Sequence, residues 1–298
     1  MKLLIGHSYF LKFDPKLHDA MRPYPPLGTM LAAAQAREAG HEVVVFDAML
    51  AESTLEWNTL LEQHRPDAAV VFEDNFNYLS KMCLLNMRDA AFEMLGAAKA
   101  TGCHTAVCGS DATDNVEMFL DAGADVVIDG EGDATLLELL DRWSRDAGLG
   151  DVAGCTFRLG DELVRTPDRP NMKGLDDLPF PARDLVDMDR YRAVWRERHG
   201  HFSMNLVTTR GCPYHCNGCA KPIGGQRYNA RSPRDVVDEI EELDRLYAPD
   251  HLWFADDIVG LKPGWIREFA DLMVERDLVR PFNALSRPDL MVKAEDLM

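Results

Sequence analysis

Leu206-Val207-Thr208-Thr209-Arg210-Gly211-Cys212-Pro213-Tyr214-His215-Cys216-Asn217-Gly218-Cys219 sets a β-branched run directly against a tight group of thiols. Residues 206–209 have the composition of a short strand. The cysteines after it are spaced C-x3-C-x2-C. Three thiolates on one loop can hold three corners of a cubane iron–sulfur cluster, which usually takes four. The missing fourth ligand leaves one iron open to an outside molecule. A catalytic zinc keeps an open position by the same logic, and a structural zinc does not. Two other readings stand beside it: a zinc site completed by His199, His201 or His215, and unrelated cysteines. Zinc motifs usually come as two spaced pairs, not as such a triplet.

Downstream of the thiols, Ser232 is placed to cap a helix with Pro233 at its first position and Asp235 three residues after the cap. Val236, Ile240, Leu243 and Tyr247 mark one helical face. A strand at 251–255, a helix at 265–276 carrying Phe269, Leu272 and Met273, and a strand at 282–286 follow. This βαβαβ series is the opening of a (β/α) barrel, in which functional groups sit where strands end. Cys212, Asp256, Asp257, Ser286 and Arg287 all fall at or just past predicted strand ends.

Upstream, near-continuous apolar runs at 2–7, 42–47, 68–72, 104–108 and 125–129 alternate with helical patterns. Such runs suit parallel strands covered on both faces. The intervening helices are expected at 28–39, 80–100, after Thr113 as a cap, and after Asp133 as a cap. Five βα units with right-handed crossovers give a doubly wound parallel sheet across residues 1–145, which binds ligands beyond its carboxyl strand ends. The loops there carry Asp74, Asn75 and Tyr78, then Gly109, Ser110, Asp111, Ala112 and Thr113, then Gly130, Glu131 and Gly132. No G-x-G-x-x-G follows the first strand, so a dinucleotide is not favoured. Residues 146–200 read as a connecting region: a hairpin turning at Leu159-Gly160-Asp161, then a linker punctuated by Pro167, Pro170, Pro179 and Pro181. The basic run Arg190, Arg192, Arg196 and Arg198 reads as a solvated helix face.

Composition narrows the classes. Acids outnumber bases 50 to 32, a net charge of −18, which repels nucleic acid and anionic lipid. No apolar run reaches the roughly 18 residues of a membrane span, and an odd count of 7 cysteines argues against a disulfide scaffold. A soluble, cytoplasmic protein with no nucleic-acid or membrane partner is expected.

Residues 206–219 resemble the cluster loop of the radical S-adenosylmethionine (SAM) superfamily. Lys221-Pro222, Gly225-Gln226-Arg227-Tyr228, Arg231-Ser232-Pro233, Trp253-Phe254-Ala255-Asp256-Asp257 and Ser286-Arg287-Pro288-Asp289 resemble the branch with an N-terminal cobalamin-binding domain. Arg22-Pro23-Tyr24-Pro25-Pro26-Leu27-Gly28 is similar to that branch's segment entering its first helix, and the loops at 109–113 and 130–133 are similar to its fourth- and fifth-strand loops. The resemblance implies an α/β chain: a cobalamin-binding-like domain at 1–145, the hairpin and linker at 146–200, and the first part of a radical SAM partial barrel at 201–298. It implies that Cys212, Cys216 and Cys219 ligate a [4Fe-4S] cluster, with SAM on the open iron. Tyr214, Gly218, Asp256, Asp257, Ser286 and Arg287 would contact SAM; Gly218 stands where the family usually has a bulky apolar residue. The loop residues at 74–78, 109–113 and 130–132 would hold cobalamin. The lower-ligand motif D-x-H-x-x-G is absent, since Asp14 and His18 are spaced D-x3-H, so cobalamin is expected without a histidine ligand. His7, His18, Cys103 and Cys108 read as ordinary core or loop residues.

The implied activity is radical methyl transfer to, or oxidative cyclisation of, an unactivated carbon of a small molecule, fed by an electron donor of the flavodoxin or ferredoxin type. The alternative is a non-catalytic cobalamin-binding module. Residues 201–298 hold about three barrel strands, fewer than a (β/α)8 barrel. Exposed sheet edges, and a partner chain that completes the barrel, are therefore expected.

Overall fold

The five apolar runs of the first half form parallel strands: β1 (Lys2–Gly6), β2 (Glu42–Phe46), β3 (Ala68–Phe72), β4 (His104–Cys108) and β5 (Val126–Ile128). The computed structural model describes residues 1–77, 85–216 and 227–292. An antiparallel hairpin, β6 (Cys155–Leu159) and β7 (Glu162–Arg165), extends the sheet to the order β2-β1-β3-β4-β5-β6-β7. Every residue of β3 is buried, as expected for a central parallel strand. The outer strand β7 is largely exposed and bounded by the charged Glu162 and Arg165, which discourages edge pairing.

Helices α1 (Pro15–Ala20), α2 (Leu27–Glu38), α3 (Leu55–His64), α4 (Leu85–Ala100), α5 (Ser110–Asp114), α6 (Val116–Asp121) and α7 (Asp133–Ser144) make the crossovers. The alanines of α2 let it lie deeply buried, with Ala32, Ala33, Ala34 and Ala36 in the sheet core. Its start is tied to β3: Thr29 Oγ1 donates to the Phe72 carbonyl at 2.7 Å. Two expected caps differ. Thr113 lies inside α5, because its hydroxyl donates back to the Gly109 carbonyl at 3.0 Å and Gly109 takes the cap position. Asp133 is the first residue of α7, after Gly132; its carboxylate accepts the Gln35 amide at 2.7 Å.

The chain divides into two compact units. The first is Met1–Asn171 with Pro181–Asp187, and the second is Met172–Phe180 with Met188–Met298. The expected connecting region is thus shared: the hairpin joins the first sheet, and 172–180 belongs to the second unit.

In the second unit, α8 (Met188–His199) precedes β8 (Ser203–Leu206), β9 (Thr209–Arg210), β10 (Asn229–Ala230), α9 (Pro233–Tyr247), β11 (His251–Phe254), α10 (Trp265–Glu275), β12 (Phe282–Ala284) and α11 (Pro288–Val292). Strands β12-β11-β8 form a parallel sheet, and β9 pairs antiparallel with β10. The strand expected at 206–209 lies earlier and is interrupted. Phe202 N–H is held by Asp250 Oδ2 at 2.7 Å, which starts the strand at Ser203. Thr208 N–H turns to Asp256 and so leaves the ladder. The cap on α9 is as expected, with Ser232 Oγ accepting Asp235 N–H at 3.2 Å. No helix among the described residues is long and apolar enough to cross a membrane.

Candidate functional site

The cysteine loop joins β9 to β10, so it hangs from a two-stranded pairing beyond the carboxyl end of β8. Two groups fix its root. Asp256, just past β11, is buried and accepts Thr208 N–H at 2.9 Å, Thr208 Oγ1 at 3.1 Å and Thr209 Oγ1 at 2.6 Å. Burial pushes its pKa up to about 6 against these hydrogen bonds. Arg231, just past β10, donates its Nη1 to the Val207 carbonyl at 2.8 Å and is paired with Asp235 and Glu239. Together they clamp the chain on both sides of the loop.

Cys212 is half-buried and Cys216 exposed, neither in a disulfide, on a segment without helix or strand. Cys219 and Gly218 lie outside the described residues. Arg287 reaches over Tyr214, with its guanidinium 4.0 Å from the ring centroid. Its Nε is held by Asp289 Oδ1 at 2.8 Å. Tyr228, whose hydroxyl accepts Leu261 N–H at 3.3 Å, has its pKa pushed up to about 12 by burial and stays protonated.

The structure therefore brings Cys212, Cys216, Tyr214 and Arg287 into one neighbourhood, and it corrects one expected contact. Asp256 is not open to SAM, because its Oδ1 already takes three protein donors. Ser286 Oγ donates to the Val259 carbonyl at 3.2 Å. Asp257 is exposed. Geometry also tells against the zinc alternative through His199 and His201. Those rings pack beside Trp195, at 4.8 and 5.4 Å, ahead of the amino end of β8, whereas the thiols follow its carboxyl end. A soft thiolate set on an otherwise irregular loop fits an iron–sulfur cluster.

The first unit has its own candidate site at the carboxyl ends of β1, β3, β4 and β5. Order 2-1-3-4-5 puts the topological switch between β1 and β3, where such sheets bind ligands. Asp74 there accepts Gly28 N–H at 2.9 Å and Phe76 N–H at 3.2 Å. Asn75 is half-buried and Tyr78 lies outside the described residues. Gly109 caps α5, and Ser110 and Ala112 are buried within it. Asp111 is gripped by Arg88 through two bonds, Nε at 2.7 Å being one. Gly130, at φ +82°, faces open space where a side chain would stand. Glu131 approaches Asn171 at 3.5 Å.

Gly132 is a fixed point of this rim. Its φ is +85°, and a Cβ there would run into Cys108 Sγ and come within 3.0 Å of the Phe72 ring. Replacing it with alanine combines left-handed strain with overpacking, about 3 kcal/mol in all. Thermal unfolding followed by circular dichroism is expected to shift down by roughly 6–12 °C.

Ser8 and Glu73, not singled out from the sequence, and His7, read there as an ordinary core or loop histidine, follow the strand ends at the switch point. Ser8 Oγ donates to Glu73 Oε1 at 2.6 Å, and burial raises the pKa of Glu73. His7 is fully buried; its Nε2 lies 3.1 Å from Asp47 Oδ1 and accepts Ala48 N–H at 3.1 Å, while Nδ1 has no hydrogen-bond partner among the described residues. Fully buried and bonded through Nε2, His7 sits as a core histidine. The open space at Gly130 lets a ligand approach the backbone of this rim, as a corrin would need. The signal that points to positions 7, 8 and 73 is strand order, which pairs β1 with β3.

No family model matches the chain. In solved structures, the fold is that of OxsB, a cobalamin-dependent S-adenosylmethionine radical enzyme described with aqua-cobalamin and SAM bound. The TM-score is 0.75 at 16% identity, covering 97% of this chain and 39% of that one. Among curated proteins, the hopanoid C-3 methylase of Methylococcus capsulatus is 26% identical over 91% of this chain and 50% of its own length. An anaerobic magnesium-protoporphyrin IX monomethyl ester cyclase of Synechocystis is 22% identical over 92% of this chain and 53% of its own. The chain thus spans about half the length of these curated relatives.

Proposed function

We propose that this chain is the cofactor-binding part of a cobalamin-dependent radical SAM enzyme, and that the reaction it serves is methyl transfer to an unactivated carbon of a small molecule. The observation that carries the reading is the cysteine loop, rooted on Asp256 and Arg231 beyond the carboxyl end of a parallel strand. The methylase relative supports methyl transfer; the cyclase relative keeps oxidative cyclisation as the second reading.

When bound, the cluster supplies one electron to split SAM, and cobalamin supplies a cobalt centre for the methyl group. The chain's own residues do the rest. Cys212, Cys216 and Cys219 would hold three irons as thiolates. Backbone at Gly218 would meet the adenine, and Tyr214 would cover one side of the cluster. Asp257 and Ser286 would face the polar groups of SAM, while Asp256 holds the root of the loop from behind. The rim at Asp74, Asn75 and Tyr78, at Gly109, Ser110, Asp111, Ala112 and Thr113, and at Gly130, Glu131 and Gly132 would cradle the corrin. Thiolate-held iron suits a reducing compartment, so the cytoplasm is its proposed place. A flavodoxin- or ferredoxin-type donor would supply the electron, and a partner chain would complete the barrel.

Anaerobic reconstitution of the full chain with iron and sulfide tests this. About four irons per chain, a brown colour absorbing near ~400 nm, and reductive cleavage of SAM are expected. Stoichiometric zinc in place of iron would overturn the reading. Cobalamin uptake without any cluster would favour a binding module instead.

A further inference from the structure

We propose that Arg287 is a positioning residue for the cysteine loop: its guanidinium, held by Asp289, grips the face of Tyr214 and so sets the segment between Cys212 and Cys216 against the end of β12. The inference rests on reading 212–219 as a cluster loop.

From Gly211 to Cys216 the chain forms neither helix nor strand, so its shape depends on side-chain anchors. Tyr214 sits midway between two of the thiols. A cation 4.0 Å from its ring centroid is well inside the distance of about 6 Å at which the ring quadrupole attracts it. The arm that delivers the cation is itself braced. Val259 N–H donates to the Leu285 carbonyl at 2.9 Å, Ser286 Oγ donates to the Val259 carbonyl at 3.2 Å, and Leu290 N–H donates to the Arg287 carbonyl at 3.0 Å. Asp289 then takes Nε, which fixes the plane of the guanidinium over the ring. Although the Arg287 side chain is 42% exposed, one edge is committed to Asp289 and one face to Tyr214, so it is built as a strut.

Two measurements test the strut, one needing no metal. In the cluster-free chain, the Arg287 δ-methylene and ε-NH resonances are expected to be shifted upfield by the ring current. The shift should persist in Tyr214→Phe and vanish in Tyr214→Leu. An unshifted Arg287 overturns the proposal. In the reconstituted chain, iron release to a chelator is expected to quicken by about 2- to 30-fold in Tyr214→Leu and in Arg287→Met, the span one cation–π contact allows. Because both act through one contact, the double variant should be no faster than the faster single, with Tyr214→Phe close to the parent. Multiplying effects, or parental iron release in Arg287→Met with only SAM binding weakened, overturn the strut and make Arg287 a direct SAM contact. A parent chain that takes up no iron defeats the cluster reading alone, since the resonance shift still decides the strut.

Discussion

Alanine at Cys212, Cys216 or Cys219 is expected to drop the reconstituted chain from about four irons to less than about one and to bring SAM cleavage to background, the largest functional effect of any single change here. Each thiolate holds one corner, and loss of any corner leaves two, too few to retain the cubane. Iron and sulfide analysis with visible absorption reads the outcome. The other cysteines are the internal control. Cys103 and Cys155 are buried, their thiols bonded to the carbonyls of Ala98 and Val152 at 3.4 and 3.3 Å, and burial raises their pKa values. Their alanine variants should keep the full iron content. His215→Ala should also keep it; a metal lost with His215 would point to zinc.

Asp256 gives an expected effect on stability as large as that of Gly132→Ala. Its neighbours Thr208 and Thr209 are themselves buried, so Asp256→Ala strands an N–H and two hydroxyls away from water. Asp256→Asn keeps the Oδ1 acceptor. The alanine variant is therefore expected to lie about 3 kcal/mol below the asparagine variant, read by urea unfolding. The pH dependence runs opposite to that of an ion-paired carboxylate. The folded pKa, about 6, lies above the ordinary 3.8. Between those values the folded state binds more protons than the unfolded one, so stability falls as pH rises through the window. The contribution of this group is full below about pH 4 and absent above about pH 6, a span of about 3 kcal/mol. Asp256→Asn should flatten that slope. A parent protein whose stability rises steadily from pH 4 to 6, with an unchanged profile in Asp256→Asn, would contradict the burial of this charge.

Local chemistry explains what could be read from the chain alone. Unbroken apolar runs announced the parallel strands because both faces of such a sheet are covered. Ser232-Pro233 announced a helix start because cap and first turn are neighbours in sequence. The thiol triplet was legible because its three cysteines lie within eight residues of one another. What stayed hidden depends on partners far along the chain. The displaced β8 is decided by Asp250 and Asp256, each about 48 positions from the amide it holds. The inward turn of Asp256, which looked like a ligand at a strand end, follows from the same bonds. His7, Ser8 and Glu73 form a rim only once β1 pairs with β3.

The distance of Asp256 from the loop it supports also orders events in time. During synthesis the thiols leave the ribosome before β11 exists, and the carboxylate trails its threonine by 48 residues. Until that later strand docks, the hairpin root has no acceptor for the amide of Thr208, and closing so long a loop is slow compared with local helix formation. The root of the cysteine loop therefore takes its shape only after the second parallel strand has been translated and paired.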